Sequence, residues 1–171
     1  MNNNIKYIYE YLPVRYEANE IQQKVRNVVY AFKDGRFDKD LLELFINQIN
    51  DIIQEKPDEW VIAVIPASAK LRTIHRYASL LMQLSKVFNV EPRTIYNETD
   101  RPSTLDTGKL DNPTKSFTVN KASVEGKNIL LIDDVITTGR SFHYCSELLK
   151  ANGAKAVSGL FLAKTINPDR I

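Results

Sequence analysis

The sequence is poor in the residues from which disulfide frameworks and metal centres are built. It contains one cysteine, Cys145, and two histidines, His75 and His143, among 171 residues. A single thiol cannot form an internal disulfide, and no cysteine–histidine cluster has the spacing of a zinc site. The two histidines are too isolated to indicate a metal centre. The sequence therefore indicates neither a disulfide scaffold nor a structural zinc domain.

An excess of charge of one sign and long hydrophobic runs are also missing. The 23 basic and 21 acidic residues leave a formal net charge of +2, which indicates neither a nucleic-acid partner nor a membrane partner. The first residues, MNNNIKYIYEYLPVRYE, lack the basic-then-apolar order of a signal peptide, and no apolar run approaches transmembrane length. We therefore expect a cytoplasmic protein that forms one domain over residues 1–171.

Helical periodicity dominates the first third of the chain. Apolar residues at helical spacing predict a helix over Asn19–Tyr30, ended by Lys33-Asp34-Gly35, and a second helix over Asp40–Ile53. Alternating tyrosines at positions 7, 9 and 11 indicate a short exposed or half-buried strand before the first helix. We expect residues 1–59 to form a mostly helical hood, an appendage that covers one edge or end of the core.

The remainder, residues 60–171, has the pattern of an α/β core. Three apolar runs of strand length begin at Trp60, Asn128 and Ala156, and helix-like stretches follow the first two. Continuous apolar runs are typical of strands buried on both faces of a parallel sheet. The order predicts a mainly parallel central sheet flanked by helices, with right-handed crossovers. We interpret the polar stretch Asn97–Lys115, which has no periodicity, as a functional lid.

The segment most informative about function follows the second of these runs. Ile129-Leu-Leu-Ile leads into Asp133 and Asp134, and two residues later into the hydroxyl-rich turn Thr137-Thr138-Gly139-Arg140-Ser141. Hydroxyls, a glycine that admits close backbone approach and the N-terminus of the next helix together make a cradle for a monophosphate. Carboxylates one turn earlier can accept hydrogen bonds from sugar hydroxyls. These residue types predict binding of a sugar phosphate at the carboxyl end of the strand.

Three other interpretations of the acid pair make different demands on the sequence. A response-regulator metal pocket would need more chain after the pair than follows here. A Walker-B acid pair would need a G-x-x-x-x-G-K-[ST] loop, and the sequence contains none. A capped structural turn without a ligand is compatible with the residue types, and it stays open at this point.

The segment Ile129–Ser141 resembles the signature with which type I phosphoribosyltransferases bind phosphoribosyl pyrophosphate (PRPP). Every position matches: four apolar residues, two acids, two apolar residues, two small hydroxyl residues, glycine, any residue and serine. Other stretches are similar to the ComF-like proteins, a branch related to the amidophosphoribosyltransferases: Val29–Gly35, Val64-Ile-Pro66, Gly153-Ala154 and Leu162–Lys164. The zinc ribbon of ComF-like proteins is absent from the sequence.

The resemblance implies roles for particular residues. Two acids would form the catalytic pair that binds the ribose 2′- and 3′-hydroxyls: Asp133 and Asp134. The turn after them would hold the 5-phosphate: Thr137, Thr138, Gly139, Arg140 and Ser141. Small residues and one lysine would form the pyrophosphate loop: Ala67, Ser68, Ala69 and Lys70.

Two further basic residues are candidate pyrophosphate contacts. Arg76 lies where the ComF-like pattern has an arginine, but Tyr77-Ala-Ser-Leu replaces the glycine, phenylalanine, asparagine and glutamine expected after it. Lys109 and Asn112 stand where the family has an arginine and an asparagine. A lysine can neutralise pyrophosphate as a point charge, but it cannot grip it with two parallel hydrogen bonds.

By this resemblance the chain would be an enzyme of nucleotide metabolism, a phosphoribosyltransferase within the glycosyltransferases. It would transfer the phosphoribosyl group of PRPP to a nitrogen nucleophile and release pyrophosphate. Mg²⁺ would be held mainly through PRPP, with Asp133 and Asp134 as its candidate protein ligands. The alternative is a non-catalytic PRPP- or nucleotide-binding regulatory protein, or a ComF-like accessory of DNA uptake. The sequence identifies no acceptor base or amine, and it leaves a homodimer open.

Overall fold

The computed structural model describes residues 4–54, 56–97 and 117–170, in which parallel strands are covered by helices on both faces. The strands in these ranges are β1 (Ile5–Tyr11), β2 (Trp60–Val64), β3 (Ile95–Asn97), β4 (Phe117–Val119), β5 (Asn128–Ile136) and β6 (Ala156–Thr165). Four of them form the central sheet in the order β1-β6-β5-β2, and all three pairings are parallel. Strands β3 and β4 form a separate antiparallel pair.

The helices in the described ranges are α1 (Glu20–Lys33), α2 (Lys39–Ile53), α3 (Lys70–Leu84), α4 (Lys121–Val124) and α5 (Arg140–Ala151). Helix α1 begins with a capping box: the Asn19 side chain accepts the Gln22 backbone N–H at 2.9 Å, and the Gln22 side chain accepts the Asn19 N–H at 3.0 Å. Helix α2 is capped at its N-terminus by Asp38, whose carboxylate accepts the Leu41 N–H at 2.8 Å. No helix in the described part of the chain is long and apolar enough to cross a membrane.

Alternate residues of the buried strands face two separate apolar cores. One core joins the even-numbered residues of β2 and β5 to three helices, and its members include Phe32 of α1, Phe45 of α2, Tyr77 of α3, Ile62, Leu130 and Ile132. The other joins the odd-numbered residues to α5 and the β3–β4 pair, and its members include Ile95, Phe117, Ile129, Leu131 and Phe142. The apolar runs of the sequence are continuous because both faces of these strands are covered. The predicted α/β class, with a mainly parallel sheet between helices, is confirmed.

The first third of the chain differs from the predicted hood. Residues 5–11 are an edge strand of the central sheet, paired with β6 from Ile5↔Gly159 to Tyr11↔Thr165. Helices α1 and α2 pack with α3 over one face of that sheet instead of covering an edge or end. The physical reason is the apolar stripe on each helix, which provides much of the cover for the even-numbered strand residues.

Two element boundaries matter for the site. Strand β5 continues to Ile136, four residues beyond the predicted end at Ile132, so the acid pair lies inside the strand. Helix α3 begins at Lys70, the last residue of the predicted pyrophosphate loop. The predicted lid lies outside the described residues apart from Asn97, and Lys109 and Asn112 lie outside them with it.

Candidate active site

The carboxyl ends of β2 and β5 bring two sequence-distant loops to one edge of the sheet. The two strands pair in parallel up to Val64↔Ile132, and the Ile65 N–H continues the ladder to the Ile132 carbonyl at 3.0 Å. The loop 66–70 therefore leaves the sheet beside the acids and the turn 137–141. Parallel α/β sheets bind ligands at this edge, because side chains leave the core there.

Asp133 is held at one of its two carboxylate oxygens. Its Oδ1 accepts a 2.6 Å hydrogen bond from the Tyr77 hydroxyl and a 2.8 Å hydrogen bond from the Asp134 backbone N–H. No residue in the described ranges donates to Oδ2, which is not among the buried atoms that lack a partner. Since Asp133 is only half-buried, its Oδ2 remains available to a ligand.

Asp134 is engaged at both oxygens and is buried. Its Oδ1 accepts the Val135 backbone N–H at 2.6 Å. Its Oδ2 lies 2.8 Å from Nη1 of Arg76 and 3.9 Å from Nζ of Lys33. The side chains of Asp134 and Arg76 are 10% and 15% exposed, so this ion pair is largely removed from water. The structure thus places the predicted pyrophosphate contact Arg76 on the acid pair.

Burial sets the protonation of this cluster. The pKa of the Asp133 carboxyl is raised from 3.8 to about 7, first because burial removes hydration from the charged form and second because Asp134 is negative. The hydrogen bonds from Tyr77 and from the Asp134 N–H oppose this shift. Burial and the charges of Asp133 and Asp134 raise the pKa of Tyr77 well above its ordinary 10.0. The Tyr77 hydroxyl is therefore protonated and a donor at neutral pH.

The turn 137–141 presents backbone donors at the start of α5. Gly139 precedes the helix with φ +75°, and no side chain caps the first turn. The first N–H groups of a helix have no acceptor within it, and they carry the positive end of the helix dipole. The Thr137 hydroxyl is hydrogen-bonded to the Thr165 hydroxyl at 2.8 Å, and Thr138 is exposed. The backbone N–H groups of this first turn face no side-chain cap, and binding of a 5-phosphate here stays a prediction.

The loop 66–70 is fixed by side chains on both sides. The Ala67 N–H donates to the Thr73 hydroxyl at 2.9 Å, and the Ala67 carbonyl accepts from Nδ2 of Asn97 at 2.6 Å. Arg72 donates to the Ser68 hydroxyl at 2.8 Å. The loop is therefore tied to α3 and to the end of β3, with Lys70 as the first residue of the helix.

A cavity of about 580 Å³ lies beside this loop but does not include the acids or the turn. It is bordered by the loop, by α3 and by β3, and most of its surface is apolar, from residues such as Ile74, Leu81 and Ile95. A sugar phosphate needs donors and acceptors, so the cavity is a poor match for one.

Three residues of the site had no role in the sequence analysis: Lys33, Tyr77 and Asn97. Lys33 lies in Val29–Gly35, a stretch that resembles the ComF-like proteins. That resemblance is the signal in the sequence that could have indicated a role for Lys33 in the site. Tyr77 shares helical spacing with Leu80, Leu81 and Leu84, which placed it on the buried face of α3 but not beside an acid. Asn97 precedes a stretch without periodicity, and nothing in the sequence connects it with Ala67.

The two acids are the candidate metal ligands of the site. The described residues contain no group of three or more His, Cys, Asp or Glu side chains that could hold a metal. Both acids already have protein partners, and only Oδ2 of Asp133 is open. Mg²⁺ is commonly bound through one or two carboxylates together with substrate phosphates, and Asp133 and Asp134 stay its candidate protein ligands.

Comparison with known proteins adds family information to this geometry. Residues 73–165, more than half of the chain, match the family model described as phosphoribosyl transferase domain. A curated relative, the transcriptional regulator GfcR of Picrophilus torridus, is 38% identical over 55 residues, or 32% of this chain and 28% of the regulator. The chain therefore matches less than a third of that relative's length.

Solved structures of two phosphoribosyltransferases are also similar to this chain. Adenine phosphoribosyltransferase of Saccharomyces cerevisiae is 18% identical, with 72% of this chain and 66% of that chain covered and a TM-score of 0.48. A hypoxanthine phosphoribosyltransferase of Staphylococcus aureus is 15% identical, with 90% and 75% covered and a TM-score of 0.46.

Proposed function

The chain belongs to the phosphoribosyl transferase domain family, and on that premise we propose that it binds PRPP with Mg²⁺ and transfers the phosphoribosyl group to a nitrogen nucleophile. One observation carries the proposal. An acid with an open oxygen, a helix N-terminus without a side-chain cap and the loop 66–70 lie at the same edge of the sheet. These are the groups that a ribose, a 5-phosphate and a pyrophosphate would need.

Each part of PRPP would then have its own subsite. The turn Thr137–Ser141 would bind the 5-phosphate through hydroxyls and backbone N–H groups. Asp133 would accept a ribose hydroxyl, and the loop Ala67–Lys70 would receive the pyrophosphate. Mg²⁺, bound to PRPP, would neutralise phosphate charge.

The reaction breaks the bond between the sugar and pyrophosphate and forms one to nitrogen. Because the sugar becomes cation-like as pyrophosphate leaves, the protein has mainly to position the reactants and stabilise separating charges. The loop tied down by Asn97 and Thr73 suits this role, since a fixed backbone does not have to reorganise during the reaction. The acceptor is a nitrogen base or amine.

Calorimetric titration with PRPP and Mg²⁺ tests the binding part of this proposal. We expect saturable binding, and we expect Asp133→Asn to weaken PRPP by about tenfold or more, because a charge-assisted hydrogen bond contributes about 1.5–3 kcal/mol. Inorganic phosphate should bind this variant unchanged or slightly better, since a nearby negative charge has gone. Thr138→Val should weaken both ligands. A wild-type protein that does not bind millimolar PRPP would overturn the proposal.

The transfer step needs its own assay. Pyrophosphate release should be followed with PRPP, Mg²⁺ and a panel of nucleobases and amines, and at least one acceptor should give turnover. PRPP binding without turnover on any acceptor would favour the second candidate below.

The second candidate is a regulatory protein that binds PRPP without turnover. The observation that favours it is the similarity to a protein named a transcriptional regulator. This similarity covers 32% of this chain. PRPP binding would then be the signal, and it should change the affinity of the protein for a partner. Pulldown with and without PRPP, next to the pyrophosphate assay, separates the two functions.

We also propose that the protein forms a homodimer through the outer face of α3. Leu71, Ile74 and Met82 follow helical spacing on this helix and are 78%, 51% and 58% exposed. Exposed apolar stripes are typical of surfaces that associate. Sedimentation velocity should show a dimer that Ile74→Glu dissociates, whereas Ile21→Glu on the exposed side of α1, where Ile21 is 72% exposed, should leave it intact. A wild-type monomer would contradict the proposal.

A further inference from the structure

We infer that Tyr77 and Arg76 are positioning residues of the ribose subsite, which hold the two acids so that Asp133 alone offers an oxygen to the ribose. The inference rests on the proposed function, because it requires PRPP at this edge of the sheet. It divides the acid pair into a ligand-binding member, Asp133, and a member that is fixed to the protein, Asp134.

Helix α3 runs from the loop 66–70 to the acid pair. This helix begins at Lys70, the end of the loop proposed to receive pyrophosphate, and about two turns later carries Arg76 and Tyr77. These two neighbours reach the neighbouring acids of β5: Arg76 reaches Asp134, and Tyr77 reaches Asp133. One helix therefore connects the pyrophosphate loop with both acids.

Packing in the core holds the side chain of Tyr77 in place. Its side chain is 1% exposed, and its ring meets the ring of Phe32 edge-on, with centroids 6.1 Å apart. Because the ring is packed on all sides, its hydroxyl has a fixed position and direction. The 2.6 Å hydrogen bond then fixes Oδ1 of Asp133, and through the planar carboxylate it also fixes the direction of Oδ2.

Asp134 is the member of the acid pair that is fixed to the protein. Both of its oxygens are already engaged, one by the Val135 N–H and the other by Arg76, with Lys33 at 3.9 Å. A ribose hydroxyl that took over the contact with Arg76 would leave a guanidinium without its counter-charge in a largely buried position. Each oxygen of Asp134 keeps a second lone pair, but this side chain is buried while Asp133 is half-buried, so Asp133 is the acid that a ribose hydroxyl can reach.

Tyr77→Phe tests the role of Tyr77, because it removes the hydroxyl and keeps the packed ring. Binding of PRPP with Mg²⁺ should weaken by about two- to tenfold, the cost of ordering a side chain that was previously fixed. Inorganic phosphate, which needs no ribose acceptor, should bind as it does to the wild-type protein. Tyr96→Phe on β3 is the matched control and should change neither affinity.

A double-variant cycle shows whether Tyr77 acts through Asp133. Once Asp133→Asn has removed the charged acceptor, adding Tyr77→Phe should weaken PRPP binding no further. If the loss of PRPP affinity in the double variant is the product of the losses in the two single variants, the inference is overturned. It is also overturned if Tyr77→Phe weakens PRPP and inorganic phosphate equally. The latter result would mean that the hydroxyl only maintains the fold.

The assignment of the ribose to Asp133 alone has a separate test. The double variant Arg76→Gln with Asp134→Asn removes both charges of the ion pair together and leaves no unpaired charge. We expect it to lose several-fold less PRPP affinity than Asp133→Asn. An equal or larger loss would show that Asp134 or Arg76 contacts PRPP itself, and the division of the pair would be wrong.

The outcomes also separate the inference from the proposed function. If the wild-type protein binds no PRPP, both fall. If it binds PRPP and Tyr77→Phe binds equally well, only the inference falls. Thermal melting of each variant without ligand shows that the comparisons are made on folded protein.

Discussion

Gly35 lies directly against the backbone carbonyl of His75. A Cβ atom at this glycine would stand 2.3 Å from the His75 oxygen and 3.4 Å from its carbon. The φ angle of Gly35 is +73°, in the left-handed region that glycine adopts most readily. The contact joins the turn after α1, which carries Lys33, to the part of α3 that carries Arg76. The backbones at Gly35 and His75 lie so close that residue 35 has no room for a side chain. This contact brings Lys33 and Arg76, the basic partners of Asp134, together.

We expect Gly35→Ala to lower the free energy of unfolding by about 3 kcal/mol or more. The left-handed conformation costs an L-residue about 1–2 kcal/mol, and displacement of the His75 carbonyl adds to it. Gly126→Ala is the matched control, because Gly126 has φ +74° and no atom within 4 Å of an added Cβ. It should lose only about 1–2 kcal/mol. Urea unfolding measures both, and equal losses would show that the approach to His75 is unimportant.

A second prediction concerns the ion pair of Asp134. Asp134→Asn should destabilise the protein by about 2–3 kcal/mol, because it leaves Arg76 charged, largely buried and without its close counter-charge. Asp34→Asn removes the acid of the exposed pair with Arg36, whose side chains are 63% and 72% exposed. That control should change stability by less than about 0.5 kcal/mol. If the two variants unfold at the same urea concentration, the Arg76–Asp134 pair contributes nothing to stability.

The raised pKa of Asp133 predicts a particular dependence of stability on pH. Because the pKa of Asp133 is about 7 in the folded protein, against an ordinary 3.8, the folded state binds a proton more readily than the unfolded chain. This contribution is fully present below about pH 4 and is lost as pH rises towards 7. Asp133→Asn should therefore unfold at higher urea concentration than wild type at pH 7.5, by no more than about 2 kcal/mol since the group is only half-buried.

The variant Asp133→Asn also tests the direction in which the pKa of Asp133 is shifted. The stability difference between Asp133→Asn and wild type should shrink as pH falls from 7.5 to 4.5, while other titrating groups cancel in the comparison. A difference that grows at low pH would mean that the pKa of Asp133 is depressed in the folded protein.

A fourth prediction concerns Arg26, which is 7% exposed and holds the chain between β1 and α1. Its guanidinium donates to the backbone carbonyls of Leu12, Pro13 and Tyr16 at 2.8–2.9 Å. Arg26→Lys should cost about 1–3 kcal/mol and speed hydrogen exchange around residues 12–16, because an ammonium cannot reproduce this planar set of donors. Arg36→Lys at an exposed pair should cost less than about 0.5 kcal/mol. Unchanged exchange in Arg26→Lys would contradict the prediction.

The buried strands were predictable because their signal is local. Trp60–Val64 and Ile129–Ile132 are apolar at every position, which is typical of a strand covered on both faces. Strand β1 gives a different signal, since its residues are half-buried or exposed, and its alternating tyrosines match any surface strand. Its pairing with β6 depends on a contact between distant parts of the chain, which no local pattern encodes. For this reason the sequence predicts a strand at these tyrosines but not its place in the central sheet.

At the site, sequence reasoning could place the acids and the turn but not their partners. Asp133, Asp134 and Thr137–Ser141 lie in one continuous segment, so a pattern can identify them together. Tyr77 and Arg76 reach the same point from another element, and which face of α3 meets the strand end depends on packing. Their positions follow from the three-dimensional arrangement alone.

Strand β6 lies between β1 and β5, although it is the last strand of the sheet along the chain. Among the strands of this sheet in the described part of the chain, β1 is synthesised first, and its partner β6 is synthesised after the others. A nascent chain that ends before Ala156 has no bridge between β1 and the pair β5–β2, and its helices have only part of a surface to cover. Assembly of the sheet must therefore wait until β6 has been synthesised, and until then the apolar residues of β2 and β5 lack part of their cover.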